Sequence, residues 1–356
     1  MNKKLVVTAM SLALAGAAGF ANADVKLYGQ LDLALVSNDN SQGGGKSDIN
    51  MQSNQSAVGF KGSEDLGNGL SAFFKVEYQT DIAGNGANTW QGRDQYIGLQ
   101  MENFGKVSFG SMSTAYKSQG SKIDVAYRSA LQSRDLTLQS RLHAGKGENG
   151  EGRTVNTIRY DSPSFSGFKV YGTYNFDQNK YDANDDDTYS IGAEYSGGNF
   201  YLGAAYIDTQ ASGPKDTAAA QFVGKYDFGD LGPGALSIHG IYELDKGLIT
   251  ASRSAGLNAA GSVGGANDDG ADQWSVGATY AIGNNILLAD YGKNGSSDGS
   301  DGASGTADDI DDIKAFRIGG IHKLSNRTLA YLGYAFVDPD GSTDSNVIAV
   351  GMRHNF

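Results

Sequence analysis

The chain alternates apolar and polar residues along almost its whole length. In the run LSAFFKVEYQ, Leu70, Phe74 and Val76 share one side of an extended chain, and Lys75 and Glu77 share the other. Alternation with a period of two predicts β-strands with one apolar face and one polar face. Similar runs are VKLYGQLDLALV, FKVYGTYNF, ALSIHGIYEL and WSVGATYAI, about ten residues each, which is the length that a tilted strand needs to cross a bilayer.

The connections between these runs also alternate, between two lengths. Short turns such as LGNG, SGGN and IGNN are separated by longer polar stretches at 37–50, 81–88, 114–152, 177–187, 210–216, 246–272, 294–311 and 338–344. Seven short and eight long connections leave sixteen strands. Short turns at one rim and long loops at the other are typical of transmembrane β-barrels. An even count places both ends at one rim, where the first and last strands can pair and close the barrel.

Composition excludes several other classes of protein. The 51 glycines follow no G-X-Y period, which excludes collagen, and the formal net charge of −12 argues against a nucleic-acid partner. The chain has no cysteine, so a secreted form is held together without disulfides. A soluble β-sandwich of this length would be unusually large for one domain, which favours the barrel. Aromatic residues near the ends of apolar faces, including Tyr28, Phe168, Phe228 and Trp274, are predicted to form the two interfacial girdles of that barrel.

The first residues are predicted to be a targeting segment. MNKK is basic, LVVTAMSLALAGAAGF is apolar, and ANA before Asp24 fits the rule for a small-residue cleavage site. We therefore expect residues 1–23 to be a cleaved signal peptide and residues 24–356 to form one barrel domain. A first transmembrane helix is the alternative, and the short apolar run disfavours it.

Five blocks of sequence resemble a known family. VGFKGSEDLGNGLSAFFKVEY, YIGLQMENFGKVSFG, RTVNTIRYDSPSFSGF, LSNRT and GMRHNF are similar, in this order, to signature blocks of general trimeric porins of Gram-negative outer membranes, and most of all to the beta-proteobacterial type. The resemblance implies a transmembrane antiparallel β-barrel of sixteen strands and a homotrimer in contact with outer-membrane lipid and lipopolysaccharide. It also implies passive diffusion of ions and small hydrophilic solutes, without a cofactor.

The resemblance further implies that residues 114–152 fold inward and narrow the lumen, although a plain surface loop is the alternative. The sequence itself gives this segment little alternation and a hint of helix over 125–142. In such porins, basic residues of the wall face acidic residues of the inserted loop. The wall candidates are Lys61, Lys75, Arg93, Arg153, Arg159, Lys169 and Arg317, and the loop candidates are Asp124 and Asp135 with Arg128 and Arg134. The facing of Arg93 is ambiguous because its strand alternates poorly.

Two positions depart from the family pattern. Ala57 in SAVGFKG and Ser111 in FGSMS stand where the family usually carries arginine. Because these positions lack two wall cations, we expect a weakly selective or cation-leaning channel.

The final run, VIAVGMRHNF, is predicted to be the sixteenth strand, paired with the first. Ile348, Val350, Met352, His354 and Phe356 would form its lipid-facing side. The resemblance implies that a terminal aromatic residue such as Phe356 is the mark that the outer-membrane assembly machinery reads.

Four other interpretations stay open. The acidic loops, such as YDANDDDTY, could bind calcium, although none matches an EF-hand or a nonapeptide repeat. His239 near Ser237 and Glu243 could form a hydrolase site, but these residues are expected to face water inside the barrel, so no enzyme activity is expected. A substrate-specific channel and an adhesive surface barrel are the two remaining functional alternatives.

Overall fold

The computed structural model describes residues 24–40, 48–84, 89–145, 152–176, 187–209, 217–249, 271–295, 312–340 and 344–356. The predicted signal peptide, 1–23, lies outside these residues. The strands are β1 (Asp24–Asn40), β2 (Asp48–Ser53), β3 (Ala57–Gly67), β4 (Leu70–Gln79), β5 (Gln91–Met101), β6 (Gly105–Ser113), β7 (Arg153–Asp161), β8 (Phe168–Asn175), β9 (Tyr189–Gly197), β10 (Phe200–Thr209), β11 (Thr217–Leu231), β12 (Gly234–Lys246), β13 (Gln273–Ile282), β14 (Asn285–Asn294), β15 (Ile313–Lys323), β16 (Thr328–Pro339) and β17 (Ser345–Asn355).

These strands form one antiparallel sheet that closes on itself. Each strand from β3 to β17 pairs with the next along the chain, and β17 pairs with β1. On its other edge, β1 pairs with β3 through Asp24–Gln30 and with β2 through Leu33–Asn38. Because β2 and β3 follow one another along the same edge of β1, the barrel has sixteen positions around its circumference and one extra strand. The predicted fold class is confirmed.

The break between β2 and β3 is held by hydrogen bonds. The backbone N–H of Asp32 donates to Ser56 Oγ over 2.9 Å, and the side-chain amide of Asn54 donates to Asp32 Oδ1 over 2.9 Å. Gln55, which lies between Asn54 and Ser56 in the chain, has a φ of 53°, in the left-handed region. These two hydrogen bonds join the break between β2 and β3 to β1.

The two faces of the strands differ as the alternation predicts. Outward side chains such as Leu35, Ile97 and Val350 are exposed and apolar, whereas many inward side chains are buried and polar. Tyr28 is an exception to the predicted girdles, and its assignment there is wrong. It follows the outward Leu27, so it points into the lumen, where its hydroxyl donates to Glu77 Oε2 over 2.9 Å.

Residues 114–145, here called the inner loop, fold against the inward face of the barrel. The inner loop contains helix α1 (Ala115–Ile123) and two short 3₁₀ turns, Ser133–Asp135 and Arg141–His143. Among the described residues, no helix combines the length and apolar character needed to cross a membrane.

The helix predicted over 125–142 is wrong, because the helix of this segment lies earlier in the chain. Thr114 caps α1, since its Oγ1 accepts a hydrogen bond from the backbone N–H of Lys117 over 3.2 Å. In the segment after α1, Arg128 and Thr137 have φ values of 65° and 56°, which an α-helix does not allow.

The seam between β1 and β17 closes the barrel. The backbone N–H groups of Gly29 and Phe356 each donate to the carbonyl of the other over 3.0 Å. The Phe356 ring packs on Gly29 so closely that a Cβ atom at that glycine would lie 2.3 Å from the ring. Gly29 is therefore a position at which the seam has no room for a side chain.

We predict that Gly29→Ala destabilises the folded barrel by about 1–3 kcal/mol, because the added methyl group displaces the Phe356 ring. Gly224→Ala is the matched control, since its Cβ would lie 3.6 Å from its nearest neighbour, Leu202. Urea unfolding of the membrane-inserted protein measures the stability of both variants against that of the wild type. Equal unfolding midpoints for the two variants would contradict this account of the seam.

Candidate functional site

The inner loop is fixed to one side of the lumen by apolar contacts. Leu131, Leu136 and Leu138 are buried against a stripe of inward apolar residues on β1 and β14–β17, which includes Ala34, Leu288, Ala315, Ala335 and Ala349. A second cluster joins Tyr116 and Leu142 to Ile207 and Ala219. Because the lumen side of a water-filled barrel is ordinarily polar, this apolar stripe indicates a surface built to hold the loop.

Arg317 on β15 is the first polar anchor of the inner loop. Its Nε and Nη2 donate to Asp290 Oδ2 over 2.9 and 2.7 Å, and its Nη1 donates to Asp124 Oδ1 over 3.0 Å and to the carbonyl of Leu131. The guanidinium is fully buried. It therefore joins one wall carboxylate and two points of the inner loop in a single network.

Glu243 on β12 is the second polar anchor. Its carboxylate accepts hydrogen bonds from the Tyr116 hydroxyl over 2.8 Å and from the backbone N–H and hydroxyl of Ser140 over 2.8 and 2.6 Å. His143 Nε2 lies 3.1 Å from the same carboxylate. Burial and the nearby Glu243 raise the pKa of the Tyr116 hydroxyl well above its ordinary value, so the hydroxyl stays protonated and donates.

The opposite wall, β4–β7, carries a charged group that we call the wall cluster: Lys75, Glu77, Arg93, Asp94 and Arg153. Arg93 Nε lies 2.7 Å from Glu77 Oε1, and Lys75 Nζ and Arg153 Nε lie 2.9 and 2.8 Å from the Asp94 carboxylate. A register shift between β4 and β5 at Val76/Tyr78 inserts an extra residue in β5. Both Arg93 and Asp94 consequently point into the lumen, which explains why the facing of Arg93 is ambiguous in the sequence.

Arg128 extends from the inner loop to this wall cluster. Its Nη2 lies 3.4 Å from Glu77 Oε1, and the adjacent Gln132 accepts a hydrogen bond from the Gln55 side chain over 2.5 Å. The loop therefore contacts both sides of the lumen. Its buried apolar surfaces lie on β1, β10–β12 and β14–β17, and its polar side chains reach Gln55, in the break before β3, and Glu77 on β4.

The other predicted site residues are not members of the wall cluster, although Lys61 on β3 lies opposite Lys75 in the strand register. Arg159 pairs with Asp161 over 2.7 Å and also donates to the inner loop at Ser118, whereas Arg134 is buried within the loop over the Tyr127 ring. Asp135 is exposed and pairs with Arg141 over 2.8 Å. Lys61 and Lys169 are exposed on the inward face, and neither forms an ion pair with a described residue.

Sequence reasoning missed the acidic partners on the wall. Glu77, Asp94, Glu243 and Asp290 hold the cations and the loop, yet the sequence predicts none of them as a residue of the channel, and it places Glu243 only in the hydrolase alternative. Glu77 shares the polar face of its strand with Lys75, so the alternation alone places it inward. For Asp94 and Asp290, the signal appears only when the strand register is known.

The residues of the hydrolase alternative do not form a triad in the described structure. His239 Nε2 pairs with Asp290 Oδ1 over 2.8 Å instead of with Glu243. The Ser237 hydroxyl donates to Asp227. No group of three potential metal ligands occurs within the described part of the chain. The acidic stretches considered for calcium lie mostly at 177–186, 250–270 and 296–311, outside that part.

Comparisons with known proteins point to one family. The model of the family described as Gram-negative porin matches residues 9–342. The major outer membrane protein P.IB of Neisseria meningitidis serogroup B is 31% identical over 216 residues, which cover 58% of this chain and 59% of that protein. The alignment thus spans about three fifths of that relative's length.

Two solved structures share the fold. An anion-selective porin from Comamonas acidovorans superposes with a TM-score of 0.70 at 20% identity, covering 94% of this chain and all of that one. The trimer form of OmpT, an outer membrane protein of Vibrio cholerae, superposes with a TM-score of 0.62 at 16% identity, covering 94% and 99%. At these identities the likeness concerns the fold.

We predict that Arg317→Ala destabilises the protein by about 3–5 kcal/mol, because Asp124 and Asp290 stay buried without their shared cation. The inner loop should then become accessible to protease. Arg327→Ala, at an exposed turn, is the control. Urea unfolding and limited proteolysis measure the two effects, and a wild-type cleavage pattern in Arg317→Ala would show that Arg317 does not anchor the loop.

Proposed function

The chain belongs to the Gram-negative porin family, and from this premise we propose that it forms a water-filled channel in the outer membrane of a Gram-negative bacterium. Ions and small hydrophilic solutes diffuse through this channel passively. The observation that carries the proposal is the inner loop, which is anchored to one side of the lumen by Arg317, Glu243 and an apolar stripe. A barrel of about sixteen strands is wide enough for an aqueous lumen, and an anchored loop narrows it without filling it.

The narrow part of the channel lies between the inner loop and the wall cluster. Its predicted lining residues are Lys61, Lys75, Arg93, Asp124, Arg128, Arg134, Asp135, Arg153, Arg159, Lys169 and Arg317. In this proposal Arg317, Asp124 and Arg134, which are buried, position the loop, while the partly exposed Lys75, Arg128 and Asp94 meet passing ions. Solutes therefore experience the charges of the wall cluster more strongly than those of the anchors.

The channel is weakly selective, and the local charge balance favours anions. Lys75, Arg93, Arg153 and Arg128 surround two carboxylates, those of Glu77 and Asp94. The exposed Lys61 and Lys169 add two further cations on the inward face. This sign is opposite to the cation-leaning expectation from Ala57 and Ser111, because Arg93, Arg128 and Arg153 supply the positive charge that those positions lack.

The proposed assembly is a homotrimer in contact with lipid and lipopolysaccharide. The family resemblance supports it, and the outer surface at the seam is compatible with it. There the outward side chains of β1, β2 and β17 form an exposed aliphatic patch of Leu27, Leu35, Ile49, Met51, Ile348, Val350 and Met352. Elsewhere on the outer surface, aromatic pairs such as Phe168–Tyr195 and Trp274–Tyr291 are of the kind found at a lipid interface.

Enzyme activity is not part of the proposal. The family consists of channels. In addition, His239 pairs with Asp290, which also binds Arg317, and this network gives the histidine a structural role. An adhesive surface barrel would form no channels, so conductance separates it from the porin function. A substrate-specific channel would show saturable block by one solute class.

We predict that the purified, refolded protein forms channels in planar bilayers, with conductance steps in groups of three. Under a KCl gradient the reversal potential should favour chloride modestly, because of the cations that line the lumen. Replacing Lys61 and Lys169 together by Gln should move the reversal potential towards zero. Lys314→Gln, on the outward face and paired with Asp340, is the control and should not move it. Absence of conductance would overturn the channel, and a potassium preference would overturn the proposed sign.

We predict that deleting Phe356 lowers the amount of assembled, heat-modifiable trimer while export across the inner membrane continues. The deletion removes the ring over Gly29 and the final ladder bonds of the seam, and in this proposal it also removes the mark read by the assembly machinery. Ile348→Ala, which truncates an outward side chain of the same strand, is the control. Unchanged trimer on unboiled gels after the deletion would exclude this role for Phe356.

A further inference from the structure

A set of three aromatic side chains on the inward face of the barrel lies outside the apolar surface that holds the inner loop. Tyr28 on β1, Phe73 on β4 and Tyr96 on β5 are partly exposed to the lumen, and we call them the lumen aromatic set. The buried apolar clusters that hold the inner loop do not include them. Diffusion of small hydrophilic solutes gives no reason for aromatic rings on a water-filled surface.

The rings lie along the wall rather than across the channel. Tyr28 leans over Gly59, where a Cβ atom would lie 2.8 Å from the ring, and Phe73 leans over Gly98, where it would lie 2.6 Å away. The rings of Phe73 and Tyr96 contact each other edge to face, with centroids 6.2 Å apart. Together they give the β1–β5 wall an apolar aromatic surface beside the wall cluster.

Two lysines border this surface. Lys61 Nζ lies 4.9 Å from the centre of the Tyr28 ring, and Lys75 Nζ lies 5.9 Å from it. Lys75 is bound to Asp94 and Glu77. Lys61 is exposed and forms no ion pair with any residue that the structure describes. Its ammonium group is therefore available to an anion in the lumen.

We infer that Tyr28, Phe73, Tyr96 and Lys61 form a binding subsite for small carboxylates that carry an aromatic ring. The ring of the solute stacks on the lumen aromatic set, and its carboxylate binds the Lys61 ammonium group. The inference rests on the proposed channel function and names a solute class that the channel retains during passage. Because aromatic contacts are modest, the subsite slows such solutes without trapping them.

A purely structural role for the rings is the competing account. Aromatic side chains often cover glycines in neighbouring strands, and Tyr28 over Gly59 and Phe73 over Gly98 fit that pattern. On that account the rings stabilise the wall and have no effect on solutes. The two accounts differ in whether the channel distinguishes a ring-bearing carboxylate from one without a ring.

The test is single-channel recording of the wild-type protein in KCl, with potassium benzoate or potassium acetate added at equal concentration. The subsite predicts saturable, reversible block by benzoate and little block by acetate. Benzyl alcohol, which has the ring without the charge, should block more weakly than benzoate. Equal responses to benzoate and acetate overturn the subsite while the channel function stands, whereas a protein without KCl conductance fails as a channel.

Variants then locate the block. Phe73→Leu and Lys61→Gln should each weaken benzoate block by roughly threefold to tenfold. Phe109→Leu, the same aromatic change on the outward face, should leave it at the wild-type value. Block that is unchanged in both lumen variants overturns the assignment to these residues. If Phe73→Leu fails to fold, the wild-type comparison of benzoate with acetate and the Lys61→Gln variant still decide the question.

Discussion

The whole structure depends on the pairing of every strand edge. In a bilayer, an unpaired backbone N–H or carbonyl group has no water to bind, so a sheet can cross only if it closes. Here the closing pair is β1 with β17, and the reciprocal bonds between Gly29 and Phe356 complete its ladder at one rim. Closure also determines which way each side chain points, because a one-residue shift in register would exchange the apolar and polar faces.

Closure creates an interior that can hold charged groups and a folded loop. The inner loop is held there by two kinds of interaction, an apolar stripe under Leu131 and Leu138 and two buried polar anchors at Arg317 and Glu243. The buried charges are costly alone, and each is compensated by several partners. The wall cluster opposite is also largely buried, but Lys75 and Asp94 keep part of their side chains exposed, and Arg128 reaches Glu77 from the loop. The same barrel thus has a side that bears the loop and a charged side on which Lys75 and Asp94 are partly exposed.

The alternation of the sequence predicts most of the fold, and its limits have physical causes. Alternation with a period of two assigns the inward and outward faces, and the alternating connection lengths give the count of sixteen strands. Lys75 and Arg317 are therefore recognised as wall cations without a structure. The alternation fails for Arg93, because the register shift at Val76/Tyr78 interrupts the period. It also fails inside the inner loop, whose conformation follows contacts with distant strands rather than local pattern, so α1 lies ten residues before its predicted start. The pairing of Arg317 with Asp124 depends on such contacts, and no spacing in the sequence encodes it.

The net charge of the chain does not describe the charge that a solute meets. The chain carries 40 acidic and 28 basic residues, yet the wall cluster and Arg128 bring four cations around two carboxylates. Many of the acidic residues stand in the long polar stretches between strands, such as 177–187 and 294–311. At physiological ionic strength, charges further away than about 8 Å are largely screened. Selectivity is therefore a local property of the lumen wall, and Lys61, which forms no ion pair with a described residue, contributes more to it than its share of the total charge.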